Sequence, residues 1–334
     1  WLEVSGTKPP VRSSQTQHTD RNALSAAEPD NANHLSVADK LAGTDIAFLP
    51  NIGSFVGSDI LAGIYAAGMF SSGSPRVLID LGTNGEIAVG SRNGILCAST
   101  AAGPAFEGSN ISCGMRAATG AISSVTRLGA ETRVHVIGNV EAAGICGSGI
   151  IDIISELYRC GIINAKGLFV REGKRVAHDQ HGTGRYILAT PDESATGREV
   201  SLTEVDIDSF VRAKGAIYSA IDTLLASLDM DASVLEHVYV AGGIGSGINM
   251  KNAINIGMFP SVELEKYEYV GNSSLAGAYA MVLSDQANRK VEELAQNMTY
   301  VELSTHPHYM DNFVAACFLP HTDIARFPNS IQER

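Results

Sequence analysis

The densest group of residues able to bind phosphate lies in one short turn, residues 80–86, which read DLGTNGE. Gly82 and Gly85 let a backbone come close to an anion and permit positive φ angles. The backbone N–H groups of such a turn are exposed, and the side chains of Thr83 and Asn84 supply further neutral hydrogen-bond donors. We therefore expect Gly82, Thr83, Asn84 and Gly85 to contact phosphate groups.

Asp80 and Glu86, at the two ends of this turn, are the candidate catalytic residues. A carboxylate does not bind phosphate directly, so Asp80 is expected to hold Mg²⁺ through the water shell of the ion. Glu86 is expected either to do the same or to orient a water molecule. The alternative is a plain hairpin in which Asn84-Gly85 only makes the turn. An unpaired carboxylate near the end of a buried strand is costly, which weakens that alternative.

A second glycine-rich loop, Ala241-Gly242-Gly243-Ile244-Gly245, follows an apolar strand pattern and precedes a helix. Such a turn places helix N-terminal N–H groups or a flat backbone surface against a nucleotide. The loop lacks the G-x-G-x-x-G spacing of dinucleotide-binding folds, and the chain contains no P-loop pattern. Gly242 and Gly243 are therefore candidate nucleotide contacts of another fold class.

Three predicted strands position the first turn: VLIDLGT (77–83), EIAVG (86–90) and ILCAST (95–100). Asn-Gly between the first two is the strongest short signal of a β-hairpin. The segment is predicted to be an antiparallel meander with Asp80 at its first tip. Further strands are expected at 121–128, 132–138, 184–190, 237–241 and 299–303, and helices at 56–70, 147–161, 203–228, 273–286 and 307–318.

The clearest predicted helix, 203–228, begins with a capping box in which Thr203 is followed by Asp206 three residues later. Lys214 falls within its apolar stripe. Either its stem is buried while the ammonium reaches solvent, or the lysine lies at the rim of a ligand site. The pattern does not choose between these two interpretations.

Composition excludes several classes of function. The chain has 334 residues, of which 45% are hydrophobic and 18% charged, and its net charge is -12. This charge argues against nucleic acid or an anionic membrane as a partner, and the longest apolar stretch, 60–70, is too short to span a bilayer. The five cysteines contain no C-x-x-C pair, so neither a disulfide framework nor an iron–sulfur cluster held by this chain is expected. A cytoplasmic location fits best.

Polarity divides the chain near residue 45. Residues 1–45 are rich in Ser, Thr, Asn, Asp and Pro and are predicted to be a polar linker or disordered arm. Residues 46–334 are predicted to form one domain with a polar excursion at about 166–200.

The order of these elements, with the D-x-G-T-N-G hairpin first and a strand ending in A-G-G later, resembles the acetate kinase, sugar kinase, Hsp70 and actin (ASKHA) superfamily. The resemblance implies an α/β, actin-like ATPase (ribonuclease H-like) domain with a mixed sheet flanked by helices. Only the second half of the two-lobed fold is expected. The resemblance also implies phosphate contacts at 80–85, adenosine contacts at Gly242 and Gly243, and a contact to ATP from Lys214.

A narrower resemblance covers most of 46–328. The runs LIDLGTNGEIAVG, EGSNISCGMRAATGAI, GICGSGIIDIISEL and VYVAGGIGSGIN are similar to those of the reductive activators of corrinoid proteins. This resemblance implies ATP-dependent reduction of the corrinoid of a methyltransferase system from Co(II) to Co(I), with ATP and Mg²⁺ as cofactors and a corrinoid protein as partner. That reduction lies below the potential of ordinary cellular donors, so it must be coupled to another process.

Two parts of that family have no counterpart in this sequence: the ferredoxin-like cluster domain and the first actin-like half. An iron–sulfur cluster, [2Fe-2S] or another type, is therefore expected only in a missing domain. An upstream ferredoxin-like part and first actin-like half, or a homodimer partner, would complete the site. The alternatives are a small-molecule kinase or ATPase of the same superfamily, and a non-catalytic corrinoid-protein-binding or dimerisation domain.

Overall fold

The computed structural model describes residues 49–127, 132–328 and 330, apart from the side chains of residues 126, 127 and 246. The chain divides into two units, Trp1–Pro50 and Asn51–Arg334. Every strand and helix that the structure describes belongs to the second unit. The polar arm predicted at 1–45 lies outside the described residues.

The described strands are β1 Arg76–Leu81, β2 Gly85–Ser91, β3 Gly94–Thr100, β4 Ala121–Arg127, β5 Arg133–Val136, β6 Gly144–Ile145, β7 Val176–His178, β8 Gly184–Ala189, β9 Val200–Thr203, β10 His237–Ala241, β11 Tyr267–Gly271 and β12 Met298–Tyr300. The described α-helices are α1 Ser58–Ala66, α2 Gly147–Arg159, α3 Glu204–Ala226, α4 Met250–Asn255, α5 Ser273–Leu283, α6 Asp285–Gln296 and α7 Tyr309–Ala316.

The main sheet has six strands in the order β11-β10-β1-β2-β3-β12. Strands β1, β2 and β3 form the predicted antiparallel meander. Strand β10 is parallel to β1, and β11 is parallel to β10. The carboxyl ends of these three parallel strands therefore share one edge, where α/β proteins commonly bind ligands. The chain segments after β1 and β10 are brought together at this edge.

Strand β1 is buried on both sides, because helices cover both faces of the sheet. Val77, Leu78 and Ile79 have no exposed surface, as expected of a strand with helical layers on either face. Helix α1 packs on the Leu78 face, where Gly63 approaches the Leu78 side chain. Helix α3 packs on the opposite face and contacts β2 and β3. The fold is mixed α/β with flanking helices, as predicted.

Local signals predicted the long helices well. Helix α3 begins after the Thr203 N-cap, and the Thr203–Asp206 capping box is present. Helix α2 falls within its predicted range. Helix α1 is shorter than the predicted range 56–70, and its N-cap is Gly57.

The prediction of a single helix over 273–286 was wrong at its C-terminal end. Helix α5 stops at Leu283, and Ser284 leaves the helical region with φ −149° and ψ 117°. The Ser284 side chain then accepts a hydrogen bond from the backbone N–H of Ala287 and caps α6, a helix that we did not predict. A serine in mid-pattern is a helix start when its oxygen caps the next turn.

The excursion at 166–200 contains β7 and β8, which form a three-stranded antiparallel sheet with β9. Strand β9 runs into Thr203 and so leads directly into α3. Among the described residues, no helix is both long and apolar enough to cross a membrane.

Candidate functional site

Asp80 lies on the central strand β1, at the edge of the sheet where the carboxyl ends of the parallel strands meet. It is paired with Glu86 of β2 on one side and with Ala241 of β10 on the other. Its Oδ2 accepts a hydrogen bond from the Ser274 hydroxyl, 3.3 Å away, in the first turn of α5. Burial raises the pKa of Asp80, the Ser274 bond lowers it, and repulsion from Asp59 raises it further. The carboxyl group of Asp80 is therefore partly buried, and its hydrogen bond from Ser274 offsets only part of the cost of burying its charge.

Glu86 shares this electrostatic environment. Burial, followed by repulsion from Asp59 and Asp80, raises the pKa of Glu86 to about 7. Asp59, in the first turn of α1, is a member of this group that the sequence analysis did not identify. Carboxylates that repel each other in a half-buried position favour either a proton or a cation.

The arrangement fits Mg²⁺ held through water better than Mg²⁺ held directly. Within the ranges that the structure describes, no three His, Cys, Asp or Glu side chains come together as a direct metal site. Mg²⁺ commonly keeps several of its waters and uses one or two protein carboxylates. Asp80 and Glu86, paired across β1 and β2, could hold such a hydrated ion.

The hairpin tip differs from the predicted two-residue turn. Leu81 pairs with Gly85, so the loop has three residues, Gly82, Thr83 and Asn84. The Gly82 N–H donates to the Asn84 carbonyl at 3.0 Å. The Thr83 hydroxyl donates to Oε1 of Glu107 at 2.8 Å. Thr83 thus ties the hairpin to the loop around Glu107, a contact that the sequence did not indicate.

The two hairpin glycines do not have the positive φ angles that we expected. A Cβ atom on Gly85 would lie 2.2 Å from Cδ1 of Ile217 in α3 and 3.1 Å from the Thr100 side chain. Gly85 is therefore required because α3 packs directly on β2 at this point. Its contact with a nucleotide stays a prediction.

Gly242 brings the second loop against the first. It has φ +92°, and its N–H donates to the Gly271 carbonyl at 3.0 Å. A Cβ atom there would lie 2.3 Å from the Leu81 carbonyl oxygen. A Cβ atom on Gly243 would meet nothing within 4 Å. Gly242 is thus tightly packed, whereas Gly243 presents an open backbone surface.

A cleft of about 500 Å³ lies between the two loops. Gly82 and Gly243 are the predicted site residues that line it, whereas the lining does not include Asp80, Thr83, Asn84, Gly85, Glu86 or Gly242. The full lining is Leu81, Gly82, Phe106, Glu107, Met115, Arg116, Ala117, Cys146, Gly147, Ser148, Gly243, Ile244 and Gly247.

Sequence reasoning missed two parts of this lining, Glu107 and the N-terminus of α2. The run GICGSG immediately before the strong amphipathic pattern of α2 was the available signal. A Cβ atom on Gly147 would lie 1.9 Å from the Phe106 carbonyl oxygen, and one on Gly149 would lie 2.2 Å from the Ile122 carbonyl oxygen. These glycines let the start of α2 press against neighbouring backbone beside the cleft.

Lys214 does not lie at the cleft. Its residue is fully buried, and its Nζ donates to the carbonyl oxygens of Phe318 at 2.5 Å, Pro320 at 2.7 Å and Gly257 at 3.4 Å. The interpretation with a solvent-exposed ammonium is wrong, and the geometry does not support the interpretation as a ligand-site residue. Burial lowers the pKa of Lys214 to about 7.

Residues 74–331 match a protein family described as the C-terminal domain of RACo, the ASKHA domain. The chain belongs to this family. The curated relatives include the corrinoid activation enzyme RamQ of Eubacterium limosum, 34% identical over 80% of this chain and 46% of RamQ. Another is the [Co(II) methylated amine-specific corrinoid protein] reductase of Methanosarcina barkeri, 29% identical over 78% of this chain and 48% of the reductase.

A solved structure, the reductive activator for corrinoid,iron-sulfur protein, is similar to this chain with a TM-score of 0.78. Its sequence is 40% identical, over 85% of this chain and 46% of that one. The chain therefore spans about half the length of the relatives and the solved structure it matches. The predicted ASKHA fold and family are confirmed, and an ASKHA domain suggests nucleotide binding.

Proposed function

We propose that this chain is the nucleotide-binding part of an ATP-dependent reductive activator that returns a corrinoid protein from Co(II) to Co(I). The observation that carries the proposal is the cleft between the Asp80 hairpin and the Gly242-Gly243 loop, in a chain of the RACo C-terminal ASKHA family. The names of the relatives, a corrinoid activation enzyme and a corrinoid protein reductase, support the reaction.

Each part of the cleft has a role in this proposal. Residues 82–85 of the hairpin contact phosphate oxygens, chiefly through backbone N–H groups other than that of Gly82, which donates within the turn. Asp80 and Glu86 hold Mg²⁺ through its waters, and the ion removes the repulsion between these carboxyl groups. The open backbone at Gly243 accommodates the adenosine moiety. Lys214 has no part in it, because its ammonium is bonded within the protein.

ATP is useful in this reaction because Co(II)-to-Co(I) reduction is uphill from ordinary cellular donors. Nucleotide binding can stabilise one conformation of the activator over another, and so can change how it holds the corrinoid protein. Strands β1 and β10 are paired side by side, so the hairpin and the glycine loop offer a nucleotide one continuous surface. Mg²⁺, when bound, supplies charge neutralisation at the phosphates.

A second candidate is phosphoryl transfer from ATP to water or a small acceptor. The pKa of Glu86, about 7, suits a general base at neutral pH. In that role Glu86 would accept a proton from the attacking hydroxyl group. Hydrolysis of ATP within a reductive activator would use the same base. The two candidate functions are therefore distinguished by the reaction product and not by the role of Glu86.

The first test is calorimetric titration of MgATP into the full chain, with Asp80→Asn and Asp80→Ala variants. We expect the variants to bind at least about tenfold more weakly, since one tenfold step corresponds to the loss of about 1.4 kcal/mol. Asp192→Asn, which changes an exposed carboxylate in a different part of the chain, is the matched control and should bind as the wild type does. Absence of MgATP binding by the wild-type chain would contradict the proposal that this chain carries a usable nucleotide site.

The second test is reactivation of an oxidised corrinoid protein in the presence of a low-potential chemical reductant and the chain, with and without MgATP. Formation of Co(I) is followed by absorbance, and release of phosphate is measured in parallel. ATP-dependent Co(I) formation supports the activator. Phosphate transfer to a small acceptor without any effect on cobalt would instead support the kinase.

A further inference from the structure

Asp206 uses its two carboxylate oxygens for two separate tasks. Oδ2 accepts from the Thr203 N–H at 2.9 Å and from the Thr203 hydroxyl at 2.7 Å, which caps α3. Oδ1 accepts from the Ser112 N–H at 2.7 Å and from the Ser112 hydroxyl at 3.0 Å. Asp206 is only 2% exposed. A buried helix cap is thus also the anchor of a loop far upstream in the chain.

The two ends of the anchored loop, 108–115, pack against each other, and its second end is bonded to Ile145. Gly108 has φ +78°, and a Cβ atom on Gly114 would lie 1.8 Å from the Gly108 carbonyl oxygen. The Met115 N–H donates to the Ile145 carbonyl at 2.9 Å, and the Ile145 N–H donates to the Cys113 carbonyl at 2.8 Å. The chain therefore leaves this loop, towards the cleft, in a defined direction.

Arg116 is the first side chain after the anchored loop and lines the cleft. The residue is exposed, and within the part of the chain that the structure describes its guanidinium has no hydrogen-bond or ion-pair partner. The other charged residue of the lining, Glu107, already accepts the Thr83 hydroxyl. A guanidinium free to form paired hydrogen bonds is suited to phosphate oxygens.

We propose that Asp206, acting through Ser112, is a positioning residue that fixes the backbone leading to Arg116, so that the arginine side chain can bind the polyphosphate of the nucleotide. The inference rests on the proposed function and adds to it a cation for the phosphates and the means of holding it. Residues 116–119 are exposed, so without the anchor the backbone at the arginine would also have to be ordered at the moment of binding. That ordering costs free energy and weakens binding.

The two oxygens of Asp206 provide a matched pair of variants. Ser112→Ala removes a bond on the loop side of the carboxylate. Thr203→Ala removes a bond on the helix side, together with the bond from the Asp206 N–H to the Thr203 hydroxyl. We expect Ser112→Ala to raise the Kd of MgATP about fivefold and Thr203→Ala to change it less than about twofold. Thr203→Ala should lower the Tm at least as much as Ser112→Ala does, because it also removes the bond from the Asp206 N–H. Ser112→Thr, which keeps the hydroxyl, should restore affinity.

Arg116 is tested separately with two probes, inorganic tripolyphosphate with Mg²⁺ and adenosine. Arg116→Ala should weaken tripolyphosphate binding about tenfold or more, and Arg116→Lys should weaken it less. Adenosine binding should be unchanged in both variants. Arg198→Ala, which removes an exposed arginine outside the cleft lining, is the control.

Equal weakening by Ser112→Ala and Thr203→Ala would overturn the inference, because the carboxylate would then act only through stability. Unchanged tripolyphosphate binding by Arg116→Ala would overturn it as well. In both cases MgATP binding by the wild type leaves the proposed function standing. A wild type that binds neither MgATP nor tripolyphosphate would overturn both.

Discussion

Gly242 lies directly against the carboxylate of Asp80: a Cβ atom at position 242 would stand 3.0 Å from Oδ1 of Asp80. The two residues are 162 positions apart in the sequence (242 − 80), and parallel pairing of β1 with β10 brings them together. The carboxylate of the first loop and the glycine turn of the second therefore form one structural unit. A change at either position is expected to affect the other.

Replacing Gly242 by alanine should therefore destabilise the protein and remove nucleotide binding. Its φ of +92° disfavours a side chain, and the new methyl would overlap the Leu81 carbonyl oxygen. We expect a loss of about 2–3 kcal/mol in the free energy of unfolding, measured by urea denaturation.

Gly243→Ala is the matched control for stability, because a methyl there meets nothing within 4 Å. It should unfold at nearly the urea concentration of the wild type. If adenosine lies on this backbone, Gly243→Ala should nevertheless weaken MgATP binding. Equal destabilisation by the two substitutions would contradict the packing described for Gly242.

Glu86 should make stability depend on pH in the acidic-to-neutral range. Its pKa is raised from 4.5 to about 7 in the folded chain, so between these values the folded state binds more protons than the unfolded state. The contribution of Glu86 to stability is present below pH 4.5 and is lost as pH rises to about 7. Urea denaturation from pH 5 to 8 should show a shallower decline in Glu86→Gln than in the wild type.

Added Mg²⁺ provides a second measurement on Glu86. If Mg²⁺ neutralises Glu86 and Asp80, it should raise the Tm of the wild type more at pH 8 than at pH 6. The difference between the two pH values should shrink in Glu86→Gln. A Tm insensitive to Mg²⁺ at pH 8 would argue against these carboxylates as the ion's ligands.

Lys214 should be important for stability rather than for binding. Lys214→Met leaves the carbonyl oxygens of Phe318 and Pro320 without their donor, which costs about 1–3 kcal/mol for each buried unsatisfied group. MgATP binding by the folded variant should be unchanged. A large loss of affinity without a loss of stability would instead support the interpretation of Lys214 as a ligand-site residue.

The Lys214 contribution should also vary with pH in a defined direction. Burial lowers the pKa from 10.5 to about 7, so between these values the unfolded state binds the extra proton. Wild-type stability should therefore gain from this group as pH rises from about 7 towards 10, whereas Lys214→Met should not. The difference in free energy of unfolding between the two proteins should widen over that range.

Packing against Ile217 should prevent position 85 from accepting a side chain larger than that of glycine. Gly85→Ala places a methyl 2.2 Å from Cδ1 of Ile217, and we expect a destabilisation of about 1–3 kcal/mol by overpacking. Ile217→Val removes that Cδ1 atom, so the double variant should recover part of the loss. Additive effects of the two substitutions in urea denaturation would show that the methyl does not meet Ile217.

Short-range patterns were enough to predict the elements of the site. The meander of β1, β2 and β3, the capping box of Thr203 and Asp206, and the two glycine loops are explained by alternation, turn residues and capping geometry. Each of these signals involves residues a few positions apart. For that reason the Asp80 hairpin and the Gly242 loop were predicted as elements before their relative position was known.

The contacts that give residues their roles are long-range, and the sequence did not reveal them. The acceptors of Lys214 come from Gly257 and from the segment at 318–320. Asp206 was predicted as a helix cap, but its second oxygen binds Ser112. Local sequence patterns do not predict these partners, because contact between distant segments depends on how the strands and helices pack together.

Sequence alone therefore specifies the local conformations and the candidate residues, since these depend on neighbouring side chains and backbone preferences. Packing of distant segments determines that Asp80 and Gly242 are in contact, that Arg116 faces the cleft, and that Lys214 is buried away from it. The physical reason is that a buried polar group must find its partners wherever the fold places them. Those partners determine whether it holds the structure together or remains available to a ligand.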